Sequence, residues 1–160
     1  MRGRIEITWL RSERADPDAV VGLVADFTDV ARDDIRIVHA CRSCGSDRHG
    51  KPHVVMPDGH AQLHVSLSRS AGLALVAVTD AGPVGVDVEA VRPEIEDLPA
   101  WVRTESLVKA TGHGLTIDPA DIVDERWTSE LDSPAGYVAA VTILTATPPT
   151  LVTRTAAPEG

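Results

Sequence analysis

The sequence is poor in aromatic residues: its 160 residues include one phenylalanine, one tyrosine and three tryptophans. Alanine and valine must therefore supply most of any core, and a hydrophobic content of 43% is enough for a single compact domain. No apolar run reaches the roughly 20 residues of a membrane span, and no signal-peptide pattern opens the chain. We therefore expect a cytoplasmic protein without a membrane partner.

An excess of basic residues is also missing, because the net charge is −9. Residues 1–80 carry 10 Lys and Arg against 11 Asp and Glu, whereas residues 81–160 carry 5 against 13. An acidic surface repels the phosphate backbone of DNA and RNA. The charge pattern therefore argues against a nucleic-acid partner, and any basic patch for an acidic partner has to come from the first half.

Cysteine is scarce, and the two cysteines of the chain form one C-x-x-C pattern at Cys41 and Cys44. His39, His49 and His53 lie near enough in the sequence to suggest a zinc site. A zinc ribbon uses a second pair of ligands with its own spacing, and the chain has no further cysteine. We expect thiols in a polar turn, with a structural zinc and a disulfide as the alternatives.

A pair of acidic residues ends an apolar segment at 84–89, which reads VGVDVE. In an extended segment, residues two apart point to the same face. Asp87 and Glu89 would then project together, while Val86 and Val88 face the buried side. Two carboxylates this close repel each other unless a proton, a cation or a metal lies between them.

A third carboxylate, Glu105, follows on a predicted helix over residues 100–110, with Lys109 one turn later. Together with Asp87 and Glu89, these residues would complete a site for Mg²⁺ and a phosphate-bearing ligand, which indicates phosphoryl-group transfer. The alternative is that Asp87 and Glu89 are solvated carboxylates at a strand end, while Glu105 and Lys109 form an ordinary ion pair on the helix surface. Such an ion pair is worth a few tenths of a kcal/mol.

Hydrophobic periodicity predicts an α+β order for the whole chain. A helix starts at Asp16 and Pro17, the later helix stops at Gly112, and Trp101 is expected to pack into the core. On the first strand, Ile5, Ile7 and Trp9 share one face. The predicted strands are 4–10, 35–39, 53–56, 62–67, 73–78, 84–88, 137–144 and 150–155, with a loop over 41–52.

Four segments, taken in order, resemble the motifs of a known family. They are HGKP at 49–52, SLSRS at 66–70, PVGVDVE at 83–89, and the helix with Trp101, Glu105, Ser106 and Lys109 that runs into GHGL at 112–115. The same order of motifs is found in the 4′-phosphopantetheinyl transferases of the Sfp-like type. The resemblance covers the chain from about residue 35 to about residue 118.

The resemblance implies an α+β fold of the 4′-phosphopantetheinyl transferase-like type. Two related α+β halves, 1–82 and 83–155, would form a pseudo-dimer within a single domain 1–160. The second half, which carries the carboxylate motif, is shortened, and residues 156–160 would be a loose tail.

The resemblance also implies an activity: Mg²⁺-dependent transfer of the 4′-phosphopantetheine arm from coenzyme A to a serine of an acyl or peptidyl carrier protein. Asp87, Glu89 and Glu105 would bind the metal, and Glu105 and Lys109 would be catalytic. The residues expected to bind coenzyme A are Lys51, Ser68, Arg69 and Lys109.

Three departures from the family pattern leave other functions open. Arg69 stands in place of a histidine, Thr104 in place of a lysine, and only 15 residues separate Glu89 from Glu105, where the family has a few dozen. One alternative is a repurposed enzyme that acts on a small-molecule intermediate in natural-product biosynthesis, without coenzyme A or metal. Another is a non-catalytic module that binds carrier proteins. A second copy of the chain could supply the missing stretch, so the oligomeric state is open.

Overall fold

The structure of the chain, a computed structural model, describes residues 2–41 and 44–155, without the side chain of Leu115. The predicted tail, 156–160, lies outside this part. None of the described helices is long and apolar enough to cross a membrane. The elements in chain order are β1 (Arg4–Arg11), α1 (Pro17–Thr28), β2 (Arg36–Ala40), β3 (Lys51–Val55), β4 (His64–Ser70), β5 (Leu73–Thr79), β6 (Val84–Ala90), α2 (Leu98–Thr111), β7 (Trp127–Glu130), β8 (Tyr137–Ile143) and β9 (Thr150–Thr155).

The described strands form three sheets, and their combination with α1 and α2 confirms the α+β class. The largest has the order β4-β5-β1-β9, in which β1 is antiparallel to β5 and parallel to β9. A second sheet has the order β6-β8-β7, and β2 and β3 form a separate antiparallel pair. Since β9 is the last described strand and pairs with β1, this sheet brings the two ends of the described chain side by side.

The main core lies between the four-stranded sheet and the β6-β8-β7 sheet. The predicted face of β1 is confirmed, because Ile5, Ile7 and Trp9 all point into this core. Alternate residues of three more strands complete it: Leu75, Ala77, Val84, Val86, Val88, Ala139, Val141 and Ile143. Both halves of the chain therefore contribute to one core, which is built mostly from valine, isoleucine and alanine as the composition predicts.

A second core lies under α1, which packs on β2 to β5. The helix begins where the sequence predicts it. The Asp16 side chain accepts a hydrogen bond from the Ala19 amide at 2.8 Å, and Pro17 occupies the first helical position. Val24 and Phe27 are the buried anchors of this helix, so α1 is attached to the first half alone.

The second helix starts two residues before the predicted position, because Asp97 caps it through the Ala100 amide at 3.3 Å. It ends at Gly112 as predicted, with the glycine at φ 74°. The expectation for Trp101 is wrong: its side chain is 50% exposed, because Leu98 and Val102 take the core-facing positions of that turn.

The sequence reading missed one strand, β7. It has only four residues, and none of them is fully buried, so no apolar stripe marks it as a strand. Pairing with β8, from Trp127 opposite Ile143 to Glu130 opposite Ala140, makes it a strand. Long-range pairing of this kind leaves no local signal in a segment so short.

Side chains, rather than a strand ladder, join the two sheets at the outer edge of β6. This edge faces β4, whose serines at alternate positions point towards it. The amides of Val86, Val88 and Ala90 donate hydrogen bonds to the hydroxyls of Ser66, Ser68 and Ser70, at 3.0, 3.1 and 2.9 Å respectively. These three contacts, which we call the serine ladder, satisfy amides that would otherwise be buried without a partner.

We expect the Ser66→Ala variant to lose about 1–3 kcal/mol of unfolding free energy, because the buried Val86 amide loses its acceptor. Ser70→Ala is the matched control, since Ser70 is only half-buried and water can replace its hydroxyl. Urea unfolding of both variants measures the difference. Equal, small losses in the two variants would show that the ladder does not hold the sheets together.

Candidate functional site

A cavity of about 710 Å³ lies between the start of α1, the β2–β3 pair, β4 and α2. Its size is in the range of small-ligand pockets. The apolar part of its wall includes Val20, Ile37, Pro52, Val65, Leu67 and Val108. The lysine, arginine and glutamate side chains that line it are Lys51, Arg69, Glu105 and Lys109, so four of the predicted site residues meet at one cavity.

Close contact between α2 and β6 positions the acidic end of this cavity. Gly85 makes the contact possible: a Cβ atom there would lie 2.0 Å from the Ser106 carbonyl oxygen and 2.4 Å from the Ala110 amide nitrogen. Ser106 itself is fully buried and shares a 2.7 Å hydrogen bond with Thr142 of β8. Because the helix backbone rests directly on the strand, Lys109 comes beside Asp87, two residues along β6 from Gly85.

Asp87 is buried, with 4% of its surface exposed. Its Oδ1 atom accepts a hydrogen bond from Lys109 Nζ at 3.2 Å and a long one from Ser68 Oγ at 3.4 Å. Its Oδ2 atom, in contrast, is the buried side-chain polar atom without a hydrogen-bond partner among the described residues. A buried carboxylate oxygen in this state carries a desolvation cost that a cation could relieve.

Burial raises the pKa of the Asp87 carboxyl from its ordinary 3.8 to about 6. The Lys109 ammonium opposes this rise in pKa by favouring the charged form, whereas the carboxylates of Glu89 and Glu105 add to it. The repulsion among carboxylates predicted from the sequence therefore contributes to the raised pKa of Asp87, although burial is its main cause.

The three predicted metal ligands are brought to one region, but their oxygens are not drawn tightly together. Glu89 is partly buried and pairs with Arg92 at 3.4 Å. Among the described residues, the potential ligands whose ligating atoms all lie within 4.8 Å of one another are Cys41, Cys44 and His49, not the carboxylates. For the three carboxylates to bind one ion, the Glu89 and Glu105 side chains would have to rotate towards Asp87.

Lys51 holds the end of α2. Its ammonium donates hydrogen bonds to the carbonyl oxygens of Val84 at 2.7 Å, Lys109 at 3.0 Å and Ala110 at 3.1 Å. A lysine ammonium has three N–H donors, and a cation at a helix C-terminus is favourable. This clamp was not visible in the sequence, because its partners lie 33 to 59 residues away. A role for Lys51 in binding phosphate stays a prediction.

Ser68 and Arg69 occupy different places. The Ser68 hydroxyl belongs to the serine ladder and points towards Asp87, inside the protein. Arg69 lines the cavity and donates a hydrogen bond to the Ala15 carbonyl at the start of α1. A guanidinium carries five N–H donors, so this one bond does not exhaust it. Arg69 is therefore the better placed of the two for a ligand in the cavity.

Thr104 stands where the motif resemblance leads us to expect a lysine. Thr104 is exposed, and the guanidinium of the preceding Arg103 forms an ion pair with Glu130 of β7. His39, which the sequence suggested only as a candidate zinc ligand, lines the cavity, and its Nδ1 lies 3.3 Å from the Gly50 carbonyl. Only the pairing of β2 with β3 brings it there, so sequence spacing carries no such signal.

We expect the Asp87→Asn variant to lose a pH dependence of stability that the metal-free wild type shows. The raised pKa means that the folded state holds a proton which the unfolded state releases. The contribution of Asp87 to stability therefore falls as pH rises from about 4 to about 6, by about 3 kcal/mol, and is constant above, so the stability of the wild type relative to Asp87→Asn falls by this amount. Urea unfolding at pH 4 and pH 7 in the presence of a chelator measures this. Parallel pH profiles for the two proteins would contradict it.

No protein-family model matches the chain, and no curated protein is similar to it. The resemblance of the four motifs to the phosphopantetheinyl transferases is therefore carried by the motifs alone.

Proposed function

We propose that the chain transfers the 4′-phosphopantetheine arm of coenzyme A to a serine of an acyl or peptidyl carrier protein, in a Mg²⁺-dependent reaction. The observation that carries this proposal is the unsatisfied, buried Oδ2 of Asp87, whose other oxygen is bonded to Lys109, a residue that lines the cavity together with Glu105. Carboxylate, ammonium and cavity are the three parts that a metal-assisted phosphoryl transfer needs.

The residues present fit a magnesium ion. Mg²⁺ prefers oxygen ligands and is commonly held by one or two carboxylates together with substrate phosphates. Asp87 would provide the fixed ligand, and Glu89 and Glu105 the adjustable ones. When bound, the ion would neutralise phosphate charge and polarise the phosphorus under attack.

The chain's own residues would carry the proton and orient the substrate. Glu105 would accept the proton of the carrier-protein serine, whose oxygen forms a bond to the β-phosphorus of coenzyme A. The bond from that phosphorus to the bridging oxygen breaks, and 3′,5′-ADP leaves. Lys109 and Arg69 would stabilise the phosphates, and the apolar part of the cavity wall would exclude water.

The finer fold proposal follows the same resemblance. The turn between β5 and β6 contains the boundary at residue 82, and each half begins with a buried strand followed by a helix. The shared core between β1, β5, β6 and β8 supports a single domain in which two related α+β halves form a pseudo-dimer.

A second candidate is an enzyme of the same fold that acts on a small-molecule biosynthetic intermediate without coenzyme A or metal. The observation that favours it is the internal use of cations: the Lys51 ammonium bonds three backbone carbonyls, and Arg103 pairs with Glu130. These two cations are then less available to neutralise the three phosphate groups of coenzyme A.

The proposal is tested by measuring the transfer of the 4′-phosphopantetheine arm directly. We expect purified protein with Mg²⁺, coenzyme A and a panel of apo carrier proteins to yield carrier with the added arm, detected by intact mass. Glu105→Gln should slow the transfer by at least about 100-fold, because the general base is lost. Glu94→Gln is the matched control, since Glu94 is exposed in the loop between β6 and α2 and its replacement should leave the rate unchanged.

Binding measurements separate the two candidates. Under the transferase proposal, Mg²⁺ alone should raise the melting temperature of the wild type but not of Asp87→Asn, and calorimetry should detect coenzyme A. No arm on any carrier, together with no binding of coenzyme A, would overturn the transferase proposal and favour the small-molecule enzyme.

A further inference from the structure

A second cluster of ligating side chains lies outside the carboxylate site, in the segment between β2 and β3. The potential ligand atoms of Cys41, Cys44 and His49 all lie within 4.8 Å of one another. Cys44 Sγ is 3.3 Å from His49 Nε2, and no disulfide joins the two sulfurs. We propose that these three residues bind one Zn²⁺ ion, which orders the segment 44–50 at the edge of the cavity.

The separations suit a tetrahedral zinc. With Zn–S of about 2.3 Å and Zn–N of about 2.0 Å, ligand atoms on a tetrahedron lie roughly 3.5–3.8 Å apart. The 3.3 Å between Cys44 Sγ and His49 Nε2 and the 4.8 Å limit on the whole group bracket these values. Side-chain rotations that move the ligand atoms by about 1 Å or less are enough to close the group on an ion.

The backbone builds the turn that such a site needs. The Gly45 amide donates to the Cys41 carbonyl at 2.9 Å, and the Cys41 amide donates to the Ser46 carbonyl at 3.0 Å. Gly45 stands at φ 69°, where only glycine is free of strain. These two hydrogen bonds hold Gly45 and Ser46 beside Cys41, so Cys44 also lies close to Cys41.

The donor set selects the kind of metal. Two sulfurs and one imidazole are soft or borderline ligands, which favour Zn²⁺, whereas Mg²⁺ requires oxygen. Three protein ligands leave the fourth position for water. This zinc site is therefore chemically separate from the carboxylate site, and it does not depend on the transferase proposal.

An ordering role follows from burial. Within 44–50, every residue is exposed or half-buried, so this part of the segment has no core of its own. Yet it leads directly into Gly50, Lys51 and Pro52, which line the cavity, and Lys51 holds the end of α2. A metal that supplies the missing order would hold this wall of the cavity in place.

The experiment measures zinc in the full-length protein, purified under reducing conditions and dialysed against metal-free buffer. We expect about one zinc per chain by mass spectrometry of the metal, and cobalt substitution should produce a thiolate-to-cobalt charge-transfer band. Cys44→Ser should weaken zinc binding by more than about 100-fold, since loss of a mere outer-sphere partner already costs 10–100-fold. His60→Gln, an exposed histidine in another turn, is the control and should retain the metal.

A thermal melt guards against misfolding of the variant. Cys44 is exposed, so Cys44→Ser should fold, and a chelator should lower the melting temperature of the wild type but not of this variant. Wild-type protein without stoichiometric zinc or a cobalt band would overturn the proposal, as would a Cys41–Cys44 disulfide in freshly isolated protein or equal zinc in Cys44→Ser.

Discussion

The contact between α2 and Gly85 of β6 is the constraint on which the candidate site depends. A helix backbone normally stays away from a strand by the length of the side chains between them. Here the absent side chain lets the Ser106 carbonyl and the Ala110 amide approach β6 directly. Lys109 can therefore reach Asp87, and Glu105, one turn earlier, opens onto the cavity. Any larger residue at 85 would push the helix, and with it both charged groups, away from the strand.

Two further contacts hold this arrangement from its sides. The serine ladder fixes the outer edge of β6 to β4, and Lys51 fixes the end of α2 to the β3 strand. Together they bury Asp87 in surroundings that disfavour its charge, which is why the pKa of its carboxyl rises. A destabilised buried group of this kind is common at functional sites, where a ligand rather than the protein completes the interactions of that group.

The two sides of the cavity wall differ in how well they are packed. On one side stand well-packed elements, α2 and β4, whose positions follow from the cores. On the other side lies the segment 44–50, which has no fully buried residue. A zinc ion on Cys41, Cys44 and His49 would give this side a rigidity that packing does not. The proposed zinc and magnesium would then act on one cavity through unrelated chemistries, one ordering its wall and the other binding phosphate.

The sequence by itself determined the elements and the candidate residues. Alternation predicted β1, β5 and β6, Asp16 and Gly112 marked helix ends, and the spacing of Asp87, Glu89, Glu105 and Lys109 indicated a charged site. Local patterns suffice there, because periodicity and capping act within a few residues. Only the tertiary structure decided that Ser68 joins two sheets, that Lys51 clamps a distant helix, that Trp101 is exposed and that β7 is a strand. Each of these depends on partners far along the chain, and no local pattern records which distant backbone atom a side chain will meet.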